Sequence, residues 1–328
     1  MTLLDSISIR SPRSWVAPIA VLGLLGLTAY AFGANDYLVT VLGLAAIYGV
    51  FCTGLNFFMG YAGQASFGQN AFAALGGYGT AILCAGYGWQ PLPALVVSTL
   101  IAGVIALIVG YPTLRLRGHY LAMATFALGL MTYEISIEWN GLTQGYMGYS
   151  GIPPLGVAGY ELGSDKAQLV ALIFFLLAGV WISRRLRESR FGRAVRAIAG
   201  SEAAASALGI GIARYKLAAF VIAALYASVA GSLFAHFIGF ISPEVFGLQM
   251  VVLSFTMLYL GGIGTTWGPV IGAVIVSLMP EMLRGLSELQ DVAYCAILIV
   301  ILIFVPKGLA SLFDARTARR AEVSTSAR

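Results

Sequence analysis

The sequence predicts an all-α membrane protein: a polytopic bundle of about ten transmembrane helices with both termini cytoplasmic. Three observations lead there. The 328 residues are 59% hydrophobic and only 10% charged, with a mean hydropathy of +0.88, whereas a soluble domain carries roughly a quarter charged residues. Apolar runs of about 20 residues, the length of a membrane helix, follow one another closely. When crossings alternate from an inner N-terminus, seventeen of the 19 Lys and Arg fall inside and only Lys166 and Arg284 outside, as the positive-inside rule demands. The net charge of +5 then reflects topology, and nucleic acid is not an expected partner; the lipid bilayer is.

The elements follow in order. A short cytoplasmic segment, 1–14, precedes a membrane domain spanning 15–310. The first span, 15–33, follows Arg10 and Arg13 and ends near Ala29 and Ala31, so it also imitates a signal peptide. It is long for one, and no hydrophilic domain follows it. Spans 38–59 and 64–86 come next; the latter opens on "GYAGQASFGQ", which leaves a broken or re-entrant start open. Spans 92–112 and 119–140 lead to an outer segment, 141–166, rich in Gly and Tyr with Pro153 and Pro154, a connector or a cap. Span 167–184 enters a basic cytoplasmic loop, 185–214, and span 215–238 leaves it. Spans 246–263 and 266–284 are joined by "GGIGTTWG", read as a tight inner turn, and Gly268 and Gly272 are read as packing residues. Span 291–310 closes the domain, and the polar tail 311–328 is expected to be disordered.

Little in the chain carries chemistry. "GGIGTTWG" lacks the lysine of a phosphate-binding loop, so the chain is not expected to hydrolyse ATP itself. His119 and His236 lie too far apart in sequence for a zinc motif and read as interfacial and packed. Cys52, Cys84 and Cys295 all fall in apolar runs and read as small packing residues. No metal or cofactor is expected. Glu134 and Glu138 share a helix face near the outer end of their span, as vestibule or interfacial acids. No acidic pair lies at mid-membrane, where an ion-coupled carrier needs one. A solute path would be uncharged: Asn56, Gln64, Ser66, Gln69 and Asn70 are its candidates, with Glu134 at the mouth. Such amides must face protein or water, so polar helix packing is the competing reading.

The segment 188–216 is inside, basic and too polar to span. Ala203, Ala204, Ala205 and Ala207 favour helix, Glu202 suits the start of one, and Gly209 and Gly211 would end it. One short helix preceded by a basic stretch is predicted, a lever by which a docked partner could move the flanking spans.

Here the chain resembles a family. Glu202, Ala203 and Ala204 with a following glycine look like the EAA loop of ABC importer permeases, although Gly209 comes one residue late and no Leu-Pro closes the motif. "GLNFFMGYAGQASFGQNAF", "LRLRGHYLAMATFALG", "GYSGIP", "FGRAVRAI", "ALGI" and "YLGGIGTTWGPVIGA" resemble, in the same order, the LivM-like permease subunits of the branched-chain amino-acid ABC importers. The resemblance runs from about 38 to 310. It implies a multi-pass protein of the bacterial inner membrane that is not itself an enzyme. Its partners would be a second, homologous LivH-like permease subunit, two cytoplasmic ATPase subunits and a periplasmic substrate-binding protein. Arg193, Arg196, Glu202, Ala203, Ala204 and Gly209 would couple to the ATPases. Urea or amide importers have similar permeases, and a stand-alone secondary transporter is the remaining alternative.

Overall fold

The computed structural model describes residues 36–116, 118–157 and 160–283, together with Val292, Tyr294, Ile299, Gly308 and Leu309. Among these it is a helical bundle. Five helices are long and apolar enough to cross a membrane. The first is α1 (Asp36–Asn56), prolonged by a π turn over Phe57–Tyr61. The others are α3 (Pro91–Thr113), α4 (His119–Glu138), α6 (Asp165–Glu188) and α9 (Ile212–Ile238). Four of these match the expected spans to within three residues at either end. The sequence reading ended α6 four residues early, at the onset of its arginines, and began α9 three residues late.

The remaining crossings are built differently. The expected span 64–86, whose start the sequence left open as broken or re-entrant, is non-helical over 63–68 and becomes helical only at α2 (Gln69–Ala81), which continues as a π turn over Ile82–Gly86. The expected spans 246–263 and 266–284 are α10 (Leu248–Gly261) and α11 (Gly268–Met282), of 14 and 15 residues. A 3₁₀ turn, Pro243–Phe246, precedes α10. The first expected span and the tail lie outside the described residues, as do Cys295 and nearly all of the last span.

α9 is the axis of the bundle, packed against α2, α1 and α3. Small residues make this possible. A Cβ on Gly231 would collide with the Ala73 carbonyl, and one on Gly76 with that of Ser228, so α2 and α9 touch backbone to backbone. Buried hydroxyls knit the same helices. Thr80 lies 2.7 Å from Ser98 and donates to Ser232 at 2.8 Å, and Ser232 donates to the Gly76 carbonyl at 2.9 Å. In an apolar medium each of these groups needs such a partner. α11 packs on α1 and α10, with Gly272 against the Met257 carbonyl and Gly268 against Gly262, as read from the sequence. Cys52 and Cys84 are buried and free. The outward faces of α3, α4 and α6 carry exposed Val, Leu, Ile, Met and Phe side chains, the apolar exterior that a bilayer selects.

The segment between α4 and α6 is an ordered cap. It holds α5 (Asn140–Thr143), a 3₁₀ turn and strands β1 (Tyr149–Ser150), β2 (Gly156–Val157) and β3 (Tyr160–Glu161). β2 pairs with β3, and β1 pairs with β4 (Phe240–Ile241), just beyond α9. His236 Nδ1 lies 2.7 Å from the Pro153 carbonyl, which fastens the cap to the end of α9.

Candidate functional site

The basic loop forms two helices rather than one. Over α7 (Arg190–Gly200) the arginine-rich stretch is itself helical, and α8 (Glu202–Ala207) follows after a single residue. Each start is fixed by a serine. Ser189 Oγ accepts the Gly192 amide at 3.2 Å and Ser201 Oγ the Ala204 amide at 3.3 Å, the preferred N-cap arrangement. α7 holds because Val195 and Ile198 bury one face while Arg193 and Arg196 stay in the open. α8 ends where the glycine predicts. Gly209 has φ +79°, its amide bonds the Ser206 carbonyl at 2.9 Å, and the Ile210 amide bonds that of Ala205 at 3.1 Å. These two bonds are a Schellman closure.

Four contacts fasten this loop to the bundle. Phe191 stacks between Phe57 of the first π turn, at 6.0 Å, and Tyr215 of α9, at 5.6 Å. Glu202 and Lys216 form an ion pair in which Lys216 is buried. Arg187, in the last turn of α6, donates to Thr266 Oγ1 at 2.8 Å and lies over the Tyr61 ring at 5.2 Å. Ala199, near the end of α7, sits directly against Gly63, where a Cβ would be 3.1 Å away. The exposed surface is therefore formed by Arg193, Arg196, Ala203, Ala204, Ala207 and Leu208, with Gly209 at its edge, while Glu202 is half-buried and turned toward α9.

The candidate polar residues separate into distinct roles. Asn56 is 1% exposed, and both ends of its amide are engaged with the turn 262–267. Its Nδ2 donates to the Thr265 carbonyl at 2.7 Å and its Oδ1 accepts the Gly264 amide at 2.7 Å. The turn is tight, as read: Gly262 and Gly264 take φ of +114° and +77°, and Thr265 Oγ1 accepts the Gly268 amide at 3.0 Å to start α11. Gln64 is half-exposed on the strap 62–68. Ser66, Gln69 and Asn70 are buried where α2 faces α4 and the start of α10. Asn70 Nδ2 donates to the Phe246 carbonyl at 2.8 Å. Ser66 Oγ, both amide atoms of Gln69 and Asn70 Oδ1 have no partner among the described residues. Glu134 stands apart from this cluster, exposed near the cap end of α4.

Phe67 closes the strap. It stacks on Phe255 of α10 at 4.5 Å, meets Phe126 of α4 edge-on at 6.5 Å, and its amide bonds Thr125 Oγ1 at 3.1 Å. It forms part of an apolar groove of about 630 Å³ between α4 and α10, with His119, Met123 and Val252 among the lining residues. The sequence reading passed over Arg187, Phe191, Lys216, Thr266 and Phe67. Two of them left a trace: Phe191 is the bulkiest apolar residue of its basic stretch, and Lys216 is a lone cation at the mouth of an apolar run.

Comparison with known proteins bears on this arrangement. A family model described as the branched-chain amino acid transport system / permease component matches residues 37–305. The high-affinity branched-chain amino acid transport system permease protein LivM of Escherichia coli (strain K12) is 30% identical over 308 residues, covering 86% of this chain and 72% of that protein. The permease protein LivH of the same system and organism is 38% identical over 144 residues, 43% of this chain and 46% of its own. The autoinducer 2 import system permease protein LsrC of Klebsiella pneumoniae is 33% identical over 117 residues, 34% of this chain and 33% of its own. No solved structure matches significantly.

Proposed function

The chain belongs to the branched-chain amino acid transport system / permease component family, and from that premise we propose that it is the transmembrane permease subunit of an ATP-driven ABC importer. It forms part of the path by which branched-chain or related amino acids, delivered by a periplasmic binding protein, cross the bacterial inner membrane. A second, LivH-like permease completes the path, and ATP is hydrolysed on two separate cytoplasmic subunits. About ten spans, with both termini inside, place the α7–α8 loop in the cytoplasm.

The observation that carries this reading is the loop. It offers Arg193, Arg196, Ala203, Ala204 and Leu208 outward while Phe191, Glu202 and Arg187 grip three different parts of the bundle. A partner docked on the outward side moves the elements gripped on the other. Gln64, Ser66, Gln69 and Asn70 serve the path, a weakly polar lining suited to passing a zwitterion without holding it. Asn56 fixes the inner end of that path by tying α1 to the turn 262–267. Glu134 stands at the outer mouth, and Gly209 sets the end of the coupling helix.

The test is co-purification from the native membrane followed by reconstitution. A tagged chain is expected to bring two ATPases and a sister permease, and the reconstituted complex to import leucine, isoleucine or valine only with ATP and binding protein. A chain that purifies alone and moves solute down an ion gradient overturns the proposal.

A further inference from the structure

We infer that the strap 62–68 is the moving gate of the pathway, with Phe67 as its gating side chain and Arg187 as the residue that positions it; this rests on the importer reading above. The strap interrupts what would otherwise be a continuous crossing. It is non-helical between the π turn that ends at Tyr61 and the first residue of α2, Gln69. Among the described residues few bonds hold its backbone: the Gln64 amide to the Phe58 carbonyl at 3.3 Å, the Phe67 amide to Thr125 Oγ1 at 3.1 Å, and, at its ends, the Ala62 carbonyl accepting from Gln64 Nε2 at 3.3 Å and the Gly68 carbonyl from the Ala71 amide at 3.2 Å. Gly63, at φ +64°, and Gly68, whose Cα approaches the Thr125 carbonyl too closely to accept a Cβ, bracket it. Such a segment changes course by rotation about a few glycine bonds, without breaking a helix.

Both ends of the strap are tied to something that matters. At its start, Ala199 of the coupling loop lies against Gly63, and Arg187 holds Tyr61 and Thr266 together. Arg187 therefore joins the last turn of α6, the end of the first π turn and the turn 262–267 in one clamp, one residue before the loop begins at Glu188 and Ser189. At its far end, Phe67 is wedged between Phe255 and Phe126, so that α4 and α10 are bridged by a ring belonging to neither. Around it in sequence, Ser66, Gln69 and Asn70 keep buried polar atoms without partners among the described residues. Burying unpaired polar atoms is unfavourable. Withdrawal of Phe67 would let water or the polar end of an amino acid reach them, so the seated strap is the closed arrangement and the displaced strap the conducting one. The aromatic wedge offsets that cost when closed. The coupling loop, through Gly63 and Arg187, decides between the two.

The experiment uses the full importer complex in proteoliposomes. Ser66→Cys, buried beside an intact Phe67, is introduced into a background free of the native cysteines, and its rate of reaction with a membrane-impermeant maleimide is followed with and without ATP. The nucleotide is expected to change the rate about fivefold or more, the low end of ordinary coupling between sites. Adding Arg187→Ala should reduce that response to near nothing while the ATPases still co-purify. Thr266→Val, which removes only the hydroxyl that Arg187 bonds, should do the same and serves if Arg187→Ala does not assemble. A complex that imports with ATP yet labels at a constant rate overturns the gate alone. So does an undiminished nucleotide response in both Arg187→Ala and Thr266→Val. Failure of the wild-type chain to recover ATPases removes the importer reading and this inference with it.

Discussion

Replacing Glu202 with alanine tests how the α7–α8 loop is held. Lys216 is 4% exposed in the first turn of α9, and its ammonium is paired to the Glu202 carboxylate of α8. The glutamate side chain keeps 33% of its surface, so water reaches one member of the pair. A fully buried pair broken on one side costs about 3–5 kcal/mol, whereas a hydrogen bond to a charged group contributes about 1.5–3 kcal/mol. The half-open geometry places Glu202→Ala in the lower range, about 1.5–3 kcal/mol, most of it the cost of stranding Lys216. The loss is local to the α8 docking. At 1.4 kcal/mol per tenfold, it appears as roughly ten- to hundredfold faster hydrogen exchange at the amides of Leu208, Gly209 and Ile210, which close this helix. Lys216→Met, which keeps the packing of the stem and removes the stranded charge, should restore most of the protection in the double variant. The reasoning fails if Glu202→Ala exchanges like wild type. It fails equally if Lys216→Met restores nothing, since the cost would then not arise from the unpaired ammonium.

Other perturbations follow from neighbouring contacts. Asn56→Leu leaves the Gly264 amide without its partner and the Thr265 carbonyl with only the long bond from the Tyr61 hydroxyl, at 3.5 Å; at about 1–3 kcal/mol for an orphaned group, thermal unfolding in detergent should shift down measurably, and an unshifted midpoint would show that the turn 262–267 holds itself. Gly231→Val sets a side chain against the Ala73 carbonyl and should destabilise by about 1–3 kcal/mol or prevent folding, read as lost monodisperse yield beside a control at exposed Gly141. Gln64→Leu should slow import while leaving the binding protein's affinity for its solute unchanged; an unaltered import rate returns Gln64 to a packing role. Phe191→Ala removes the ring between Phe57 and Tyr215 and should lower import per ATP hydrolysed, whereas an unchanged ratio would free α7 of any role in transmission.

Hydropathy made the long helices legible, because a residue in lipid must be apolar whatever its neighbours do. It fails where the membrane depth is filled by something other than a regular helix. The glycines and amides of "GYAGQASFGQ" left a broken start open for the third span, while only contacts with α4 decide that the strap 62–68 is non-helical as far as Gln69. In the basic loop the arginines drew attention away from α7, although its pattern was legible: Phe191, Val195 and Ile198 recur at the i, i+4, i+7 spacing of an amphipathic helix. The glycine stop at Gly209 was legible because its chemistry is local. Asn56 was recognisable as a residue that needs partners, but those partners lie 208 and 209 positions away, a distance no local pattern reports. The charge pair of Glu202 and Lys216 was hidden for the same reason, each residue being explicable alone as a helix start or a topological cation.

The shortness of α10 and α11 has a consequence for biogenesis. At 1.5 Å per residue, helices of 14 and 15 residues rise about 21–23 Å, short of the roughly 30 Å hydrocarbon layer. Neither is a self-sufficient insertion signal. Each needs its partner's backbone, at the Gly261–Gly268 and Met257–Gly272 crossings, to bury what it cannot span. The pair is therefore expected to enter the bilayer together, as one hairpin about the turn 262–267 packed on α1. A lesion in that turn would then surface as a defect in membrane assembly before it could ever be seen as a defect in transport.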